Sequence, residues 1–106
     1  IKHLVDVPLV LHGASMIDPK TAHQLSKHGF DLKKAVGVSE KDIRKAINFG
    51  IRKINVDTDL QLALMNGFIN NIKENPKEFR FYKVLEKATL RLTETAIDRI
   101  QLFNKK

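Results

Sequence analysis

Two short apolar runs alternate with longer amphipathic stretches along the chain. The first run, LVDVPLVLH at residues 4–12, is rich in leucine and β-branched residues and is closed by Gly13, which predicts a buried strand. The second run, IRKINVD at residues 51–57, directly follows Gly50 and predicts another strand. Because helical segments separate the two runs, the order predicts two parallel strands in an α/β fold.

Four segments show helical spacing of apolar residues between start and stop signals. We expect helices near residues 19–29, 39–50, 59–75 and 81–103. At the start of the second segment, Ser39 and Asp42 have the spacing of a capping box. The last segment carries an apolar stripe that we expect to be buried, namely Val84, Leu85, Ala88, Leu92, Ala96, Ile97 and Ile100.

An isolated pair of parallel strands exposes both of its edges and leaves most of its apolar faces uncovered. The chain also begins with Ile1 and reaches its first strand almost at once. We therefore expect residues 1–106 to form a single segment of a larger α/β fold, with the missing part upstream.

Polar residues lie at the ends of both predicted strands. Side chains alternate between the two faces of a strand. If the leucines of the first strand pack under the helices, His12 faces the opposite side, and by the same alternation Asn55 and Asp57 face away from Ile54. All three polar residues are then expected at the carboxyl ends of neighbouring parallel strands, where α/β folds keep their active sites.

The turns beyond the strands have features of anion-binding loops. Gly13 allows close backbone approach to a ligand, and Ser15 to Asp18 has capping-box spacing. Thr58 to Gln61 has the same spacing and predicts free backbone N–H groups at the positive end of a helix. A phosphate is therefore expected between the two turns, as in the loops after the last two strands of (β/α)8 barrels.

Each of these residues also has a structural interpretation. A lone histidine at a strand end more often makes a structural hydrogen bond than binds a metal, and no second ligand lies at ligand spacing near His12. Asp57 and Thr58 fit equally well as caps of the following helix. Ser15 has no histidine placed as a local base, which argues against a serine nucleophile.

Composition narrows the class of protein. The sequence has no cysteine, which excludes disulfides, thiolate metal sites and a cysteine nucleophile, and we expect a cytoplasmic location. No apolar run approaches the ~20 residues that span a bilayer, so no membrane association is expected. The net charge of +7 is dispersed among acids, as on solvated helix faces, and favours anionic metabolites over nucleic acid.

Two motifs carry a resemblance to a known family: LHGAS and, some forty residues later, INVDTDLQLA. Through them the chain resembles the C-terminal part of class II (zinc-dependent) fructose-bisphosphate aldolases. The resemblance runs the whole length, including GVSEKDIRKAINFGIRKINVDTDLQ and NPKEF. It implies that the chain is the last two β/α units, with the terminal helices, of a TIM (β/α)8 barrel. A whole barrel has ~250 residues, so we expect its upstream part to lie outside residues 1–106.

The resemblance also assigns ligands. His12 resembles the family's third zinc-ligating histidine, and Gly13 and Ser15 resemble the loop that binds the phosphate of dihydroxyacetone phosphate. The segment that holds the same triose is matched by Asn55, Asp57 and Thr58. In the family, Zn²⁺ polarises the ketone and stabilises the enediolate in a reversible retro-aldol cleavage of a ketose bisphosphate. The family's proton-moving aspartate lies upstream, so no catalytic residue is expected in this segment.

The sequence departs from the family pattern at two positions. Met16 stands where relatives often have glycine, so the turn there must avoid positive φ. Tyr82 stands where relatives have the arginine that reaches the far phosphate across a subunit interface, and Arg80 is a possible substitute. The substrate is therefore expected to be fructose 1,6-bisphosphate or a relative such as tagatose 1,6-bisphosphate.

Two functional hypotheses remain. In the first, the chain is a lyase segment that is inactive alone, because catalytic zinc needs three protein ligands, and that works within a complete homo-oligomer, a dimer or tetramer. In the second, it is a non-catalytic fragment that binds phosphate or another polyanion through the same two turns.

Overall fold

The computed structural model describes residues 6–13, 15–32 and 37–104. Along the chain the elements are β1 (Leu9–Leu11), α1 (Pro19–Ser26), α2 (Glu40–Asn48), β2 (Ile51–Ile54), α3 (Thr58–Glu74) and α4 (Phe81–Phe103). Within the described residues, β1 and β2 pair in parallel as a two-stranded sheet. The predicted order of strands and helices, with parallel strands, is therefore confirmed.

Both strands are shorter than the sequence predicts. Residues 4 and 5 lie outside the described part of the chain, and Asp6 to Pro8 do not belong to β1. Pro8 has no N–H group to donate to a strand ladder, so regular pairing begins after it. β2 ends at Ile54, three residues before the predicted end, because α3 already begins at Thr58.

The pairing of the strands brings the residues that follow them to one edge. Leu9 lies opposite Ile51 and Leu11 lies opposite Ile54, with an irregularity after the first pair. The amide of Asn55 donates to the carbonyl oxygen of Leu11 at 3.1 Å, which carries the pairing one residue past β2. Because the strands run in the same direction, their carboxyl ends lie side by side.

Side-chain caps fix the starts of the first two helices. The Asp18 carboxylate accepts hydrogen bonds from the Thr21 amide at 3.1 Å and the Thr21 hydroxyl at 2.8 Å. The Ser39 hydroxyl accepts from the Asp42 amide at 3.1 Å, which confirms the predicted N-cap of α2. Gly50 follows this helix with φ 111°, a conformation that favours glycine.

Helices α3 and α4 pack closely because small and amide side chains lie between them. A Cβ atom at Gly67 would lie 2.8 Å from the Cα of Ala88, so glycine lets the two backbones approach. The buried amide of Asn71 donates to the carbonyl oxygens of Lys83 at 3.0 Å and Val84 at 2.7 Å. These contacts hold the two longest helices of the described chain against one another.

The predicted buried stripe of α4 is correct in its first half and wrong at its end. Val84 and Ala88 are buried, but Ile97 and Ile100 are 50% and 60% exposed. At the helical period of 3.6 residues, the face that starts at Val84 and Ala88 continues through other positions. The inward positions toward the C-terminus are Thr95, Arg99 and Leu102.

The described elements leave a broad apolar surface uncovered. The radius of gyration is 16.6 Å, whereas a compact domain of this length has about 13 Å. The larger exposed apolar side chains include Phe49, Phe79, Phe81, Tyr82, Leu90, Ile97 and Ile100. In the described ranges, each helix is either too short or too polar to cross a lipid bilayer.

Candidate functional site

The edge at the carboxyl ends of β1 and β2 holds a contact between two polar side chains. His12 directly follows β1 and Asn55 directly follows β2. The side-chain amide nitrogen of Asn55 lies 2.8 Å from Nδ1 of His12. The structure therefore brings together two of the three polar residues that strand alternation places on one face.

A second link joins the turns that follow the two strands. The hydroxyl oxygen of Ser15 accepts hydrogen bonds from the backbone amides of Asp57 at 3.4 Å and Thr58 at 3.2 Å. These amides belong to the unpaired N–H groups at the start of α3, where the helix dipole is positive. Ser15 thus reaches the same backbone groups that the sequence singles out as an anion site.

The two predicted capping boxes at these turns are wrong. α3 starts one residue earlier than a Thr58 cap requires, and its N-cap residue, Asp57, makes no side-chain capping bond. Gln61 instead donates from its side chain to the Asp57 carboxylate at 2.9 Å. Ser15 does not cap α1, which is capped by Asp18, because its hydroxyl is engaged with α3.

Two glycines shape the loop that follows β1: Gly13 within it, and Gly37, which precedes α2 and packs against that loop. Gly13 has φ 65°, a conformation that L side chains rarely adopt. Gly37 lies so close to this loop that a Cβ atom would clash with the Ile17 backbone nitrogen and lie 2.9 Å from the Ser15 carbonyl oxygen. Among described residues only glycines have positive φ, so Met16 avoids the strained conformation. Ala14 lies outside the described residues.

Sequence reasoning missed an ion pair behind the two turns. Nε of Arg99, on α4, lies 2.8 Å from Oδ2 of Asp59, in the first turn of α3. The Arg99 side chain is 14% exposed and that of Asp59 is 3% exposed. The signal in the sequence was Arg99 itself, a charged residue at a position that continues the buried face of α4. No local feature indicated Asp59, which lies 40 residues away, as its partner.

Arg80, the possible far-phosphate residue, is already paired within its own loop. Its Nε and a terminal nitrogen lie 2.6 and 3.2 Å from the two carboxylate oxygens of Glu78. The hydrogen bond to Arg80 lowers the pKa of Glu78, and the same bond raises the pKa of Arg80. A phosphate would have to compete with this carboxylate for the guanidinium.

The described residues fit one position of a metal site. No group of three or more histidine, cysteine, aspartate or glutamate side chains comes together in residues 6–13, 15–32 and 37–104. His12 is exposed at the strand ends, and imidazole is a common zinc ligand. Because catalytic zinc takes three protein ligands, these residues supply one of them at most.

Comparison with known proteins finds sequence similarity over the whole chain. The family model described as fructose-bisphosphate aldolase class-II matches residues 1–106. A fructose-bisphosphate aldolase of Thermus caldophilus is 41% identical over 103 residues, which are 97% of this chain and 34% of that protein. Fructose-bisphosphate aldolase 1 of Cereibacter sphaeroides is 34% identical over 95 residues, which are 90% of this chain and 26% of that protein.

A third organism contains a similar protein. A fructose-bisphosphate aldolase of Giardia intestinalis is 33% identical over 103 residues, which are 97% of this chain and 32% of that protein. The chain therefore spans about a quarter to a third of the length of these relatives. The match covers nearly all of the chain but only a minor part of each relative.

Proposed function

Because the chain belongs to the class II fructose-bisphosphate aldolase family, we propose that it is part of a lyase that cleaves a ketose bisphosphate. The products are dihydroxyacetone phosphate and an aldehyde phosphate. The observation that supports this most directly is the meeting of His12 with Asn55 at the ends of two parallel strands. This is the edge at which α/β enzymes bind their substrates.

The proposed fold of the complete protein is a (β/α)8 barrel, of which residues 1–106 form the last two β/α units and the terminal helices as one segment. Three observations support this assignment: the parallel strand pair, the helices that follow each strand, and the uncovered apolar surface. The remaining units would cover the edges of β1 and β2. We also propose a cytoplasmic homo-oligomer, in keeping with the sequence.

The phosphate of the triose is proposed to bind between the turns after β1 and β2. Ser15 can donate its hydroxyl proton to a phosphate oxygen, and the amides of Asp57 and Thr58 can donate two further hydrogen bonds. Gly13 adopts a positive φ of 65° in the first of these turns and has no side chain to obstruct a ligand. The Ser15 hydroxyl accepts from the same two amides that a phosphate would use.

His12 is proposed as one zinc ligand, and the remaining ligands belong to the upstream part of the barrel. When bound, Zn²⁺ supplies a Lewis acid that polarises the substrate ketone. The side-chain nitrogen of Asn55 can only donate, so Nδ1 of His12 accepts in this contact. With zinc on Nε2, the Asn55 amide would rotate so that its oxygen accepts the Nδ1 proton and orients the ring, and its nitrogen would face an oxygen of the triose. Residues 1–106 alone are proposed to be inactive, since they lack a full ligand set.

The decisive experiment is His12→Ala in the full-length protein. We expect loss of zinc-dependent cleavage of fructose 1,6-bisphosphate together with loss of bound zinc, measured by elemental analysis. His23→Ala is the matched control, because His23 is exposed on α1, and it is expected to keep both. Retention of activity by His12→Ala would overturn the proposal.

A non-catalytic phosphate-binding role is the alternative for the isolated segment. The absence of a three-ligand cluster among the described residues favours this role when the segment stands alone. If the complete protein binds inorganic phosphate but neither zinc nor a ketose bisphosphate, the alternative replaces the lyase.

A further inference from the structure

One guanidinium group connects α4 to the turns that follow both strands. Nε of Arg99 contacts the Asp59 carboxylate at 2.8 Å, and a terminal nitrogen of the same side chain donates to the Met16 carbonyl oxygen at 3.1 Å. Met16 is the neighbour of Ser15, and Asp59 is the neighbour of Thr58. Arg99 therefore contacts the same two turns that Ser15 joins, but through different atoms.

The burial of this pair is costly and calls for a reason other than stability. Asp59 is 5% exposed, and its second carboxylate oxygen, Oδ1, has no hydrogen-bond partner among the described residues. Removing two charges from water often costs more than their attraction returns, and apolar residues of similar volume often serve as well. Arg99 occupies an inward position of α4 where an apolar side chain would continue the stripe.

A phosphate would break the hydrogen bond between the Ser15 hydroxyl and the Thr58 amide, which joins the two turns. The Thr58 amide that donates to Ser15 at 3.2 Å is also a proposed donor to phosphate. When phosphate takes this amide, the Ser15 hydroxyl no longer sets the distance between the turns. The contacts of Arg99 use other atoms, namely the Asp59 carboxylate and the Met16 carbonyl, so a phosphate that takes the Thr58 amide does not compete for them.

We propose that Arg99, together with Asp59, is a positioning residue that fixes the spacing of the two phosphate-binding turns. This inference rests on the proposed function of those turns. The planar fork of arginine suits the role, because it contacts two acceptors at once in a fixed geometry, which the single ammonium of lysine does not. The same guanidinium also pairs with the exposed carboxylate of Asp98 on its own helix. Toward the two turns, Arg99 acts through the backbone of Met16 and the side chain of Asp59.

The test is Arg99→Met in the full-length protein, with fructose 1,6-bisphosphate as substrate. Phosphate binding is shared by ground state and transition state, so we expect KM to rise about tenfold while kcat changes less than about twofold. Arg91→Met is the matched control, because it removes the same charge from the same helix. Arg91 is exposed, and its nearest carboxylate oxygen, on Glu94, is 3.9 Å from its guanidinium, at the outer limit of an ion pair. KM is expected to stay unchanged in the control, and an unchanged KM in Arg99→Met would overturn the proposal.

Two further variants separate positioning from stability. Arg99→Lys keeps the charge but loses the fork, and a KM equal to that of the wild type would contradict the bridging role. The double variant Arg99→Met/Asp59→Leu replaces the pair by apolar groups, which often restores stability. If its melting temperature recovers and KM stays raised, positioning is supported, whereas recovery of KM as well would show a merely structural pair.

Ser15→Ala distinguishes failure of this inference from failure of the proposed function. If Ser15→Ala raises KM and Arg99→Met does not, the phosphate site stands and the positioning role falls. If Ser15→Ala leaves both KM and kcat unchanged, the phosphate site itself is wrong, and the inference falls with it.

Discussion

The side-chain amide of Asn55 lies 2.8 Å from Nδ1 of His12, although the two residues are 43 positions apart in the chain. A backbone hydrogen bond from Asn55 to Leu11 supports the contact from the adjacent peptide. A zinc-ligating histidine donates its second ring N–H to a partner that orients the ring, and Asn55 would fill this role by rotating its amide so that the oxygen faces Nδ1. We therefore expect Asn55 to affect the binding of the proposed zinc ion, separately from any proposed contact with the triose.

Asn55→Ala is expected to weaken the zinc affinity of the full-length protein by roughly 10- to 100-fold, the range found for partners of metal ligands. Competition with a chelator of known affinity measures the change. Asn48→Ala, at the exposed end of α2, is the control and is expected to bind zinc as the wild type does. Equal affinities in both variants would show that Asn55 does not orient the ring.

Gly67→Ala is expected to destabilise the full-length protein by about 1–3 kcal/mol, the usual cost of overpacking. The added Cβ would lie 2.8 Å from the Cα of Ala88 and 3.0 Å from the carbonyl oxygen of Lys87, and neither backbone atom can move without shifting α4. Urea denaturation gives the free energy of unfolding. Thr89→Ala, at an exposed position of α4, is expected to change it by less than about 0.5 kcal/mol.

Gly37→Ala is expected to raise the KM for fructose 1,6-bisphosphate, because the methyl group collides with the backbone of Ile17 and Ser15 and displaces the phosphate-binding turn. Steady-state kinetics of the full-length protein measures the effect. Ser39→Ala serves as the control for stability: loss of this cap costs about 1 kcal/mol but leaves the turn in place, so KM is expected to be unchanged. Equal KM values in Gly37→Ala and the wild type would contradict this account.

The Asp18 cap makes part of the stability of α1 dependent on pH. The hydrogen bond from the Thr21 hydroxyl lowers the pKa of Asp18 below its ordinary value of 3.8. A lowered pKa means that the contribution is fully present above the ordinary value and is lost as the pH falls through the lowered one. Thr21→Val removes the hydroxyl and is expected to raise the pKa of Asp18. Thr21→Ser keeps the hydroxyl and is expected to leave that pKa lowered. Titration of the Asp18 carboxyl by NMR measures both.

Tyr82→Arg tests the identity of the substrate. The family arginine at this position is proposed to reach the far phosphate, so we expect the variant to change the ratio of kcat/KM for fructose and tagatose bisphosphates. Arg80→Ala tests whether the neighbouring arginine substitutes in the natural sequence, despite its pairing with Glu78. An unchanged ratio in Tyr82→Arg would remove position 82 from the far-phosphate site.

Local patterns were enough for the features that depend on neighbouring residues. The cap of α2 follows from the three-residue spacing of Ser39 and Asp42, and the contact of His12 with Asn55 follows from alternation along two parallel strands. The cap predicted at Thr58 failed, because local spacing does not show that Ser15 takes the amides at the start of α3. Tertiary contact overrode the local signal there.

The features that the sequence did not reveal depend on contacts between distant segments. Arg99 and Asp59 are 40 residues apart, and neither carries a local sign of the other. Gly37 is needed because of the neighbouring backbone of Ile17 rather than because of its own turn. Such requirements appear only once the fold places the segments together.

The contacts between the two strand ends also share one entropic cost. His12 with Asn55, and Ser15 with Thr58, each close a loop whose ends are 43 positions apart. Loop closure reduces chain entropy mainly at the first contact, and later contacts then form inside a loop that is already closed. The proposed metal ligand and the proposed phosphate-binding turn are therefore expected to behave as one cooperative unit, in which opening either contact lowers the effective concentration of the other's partners.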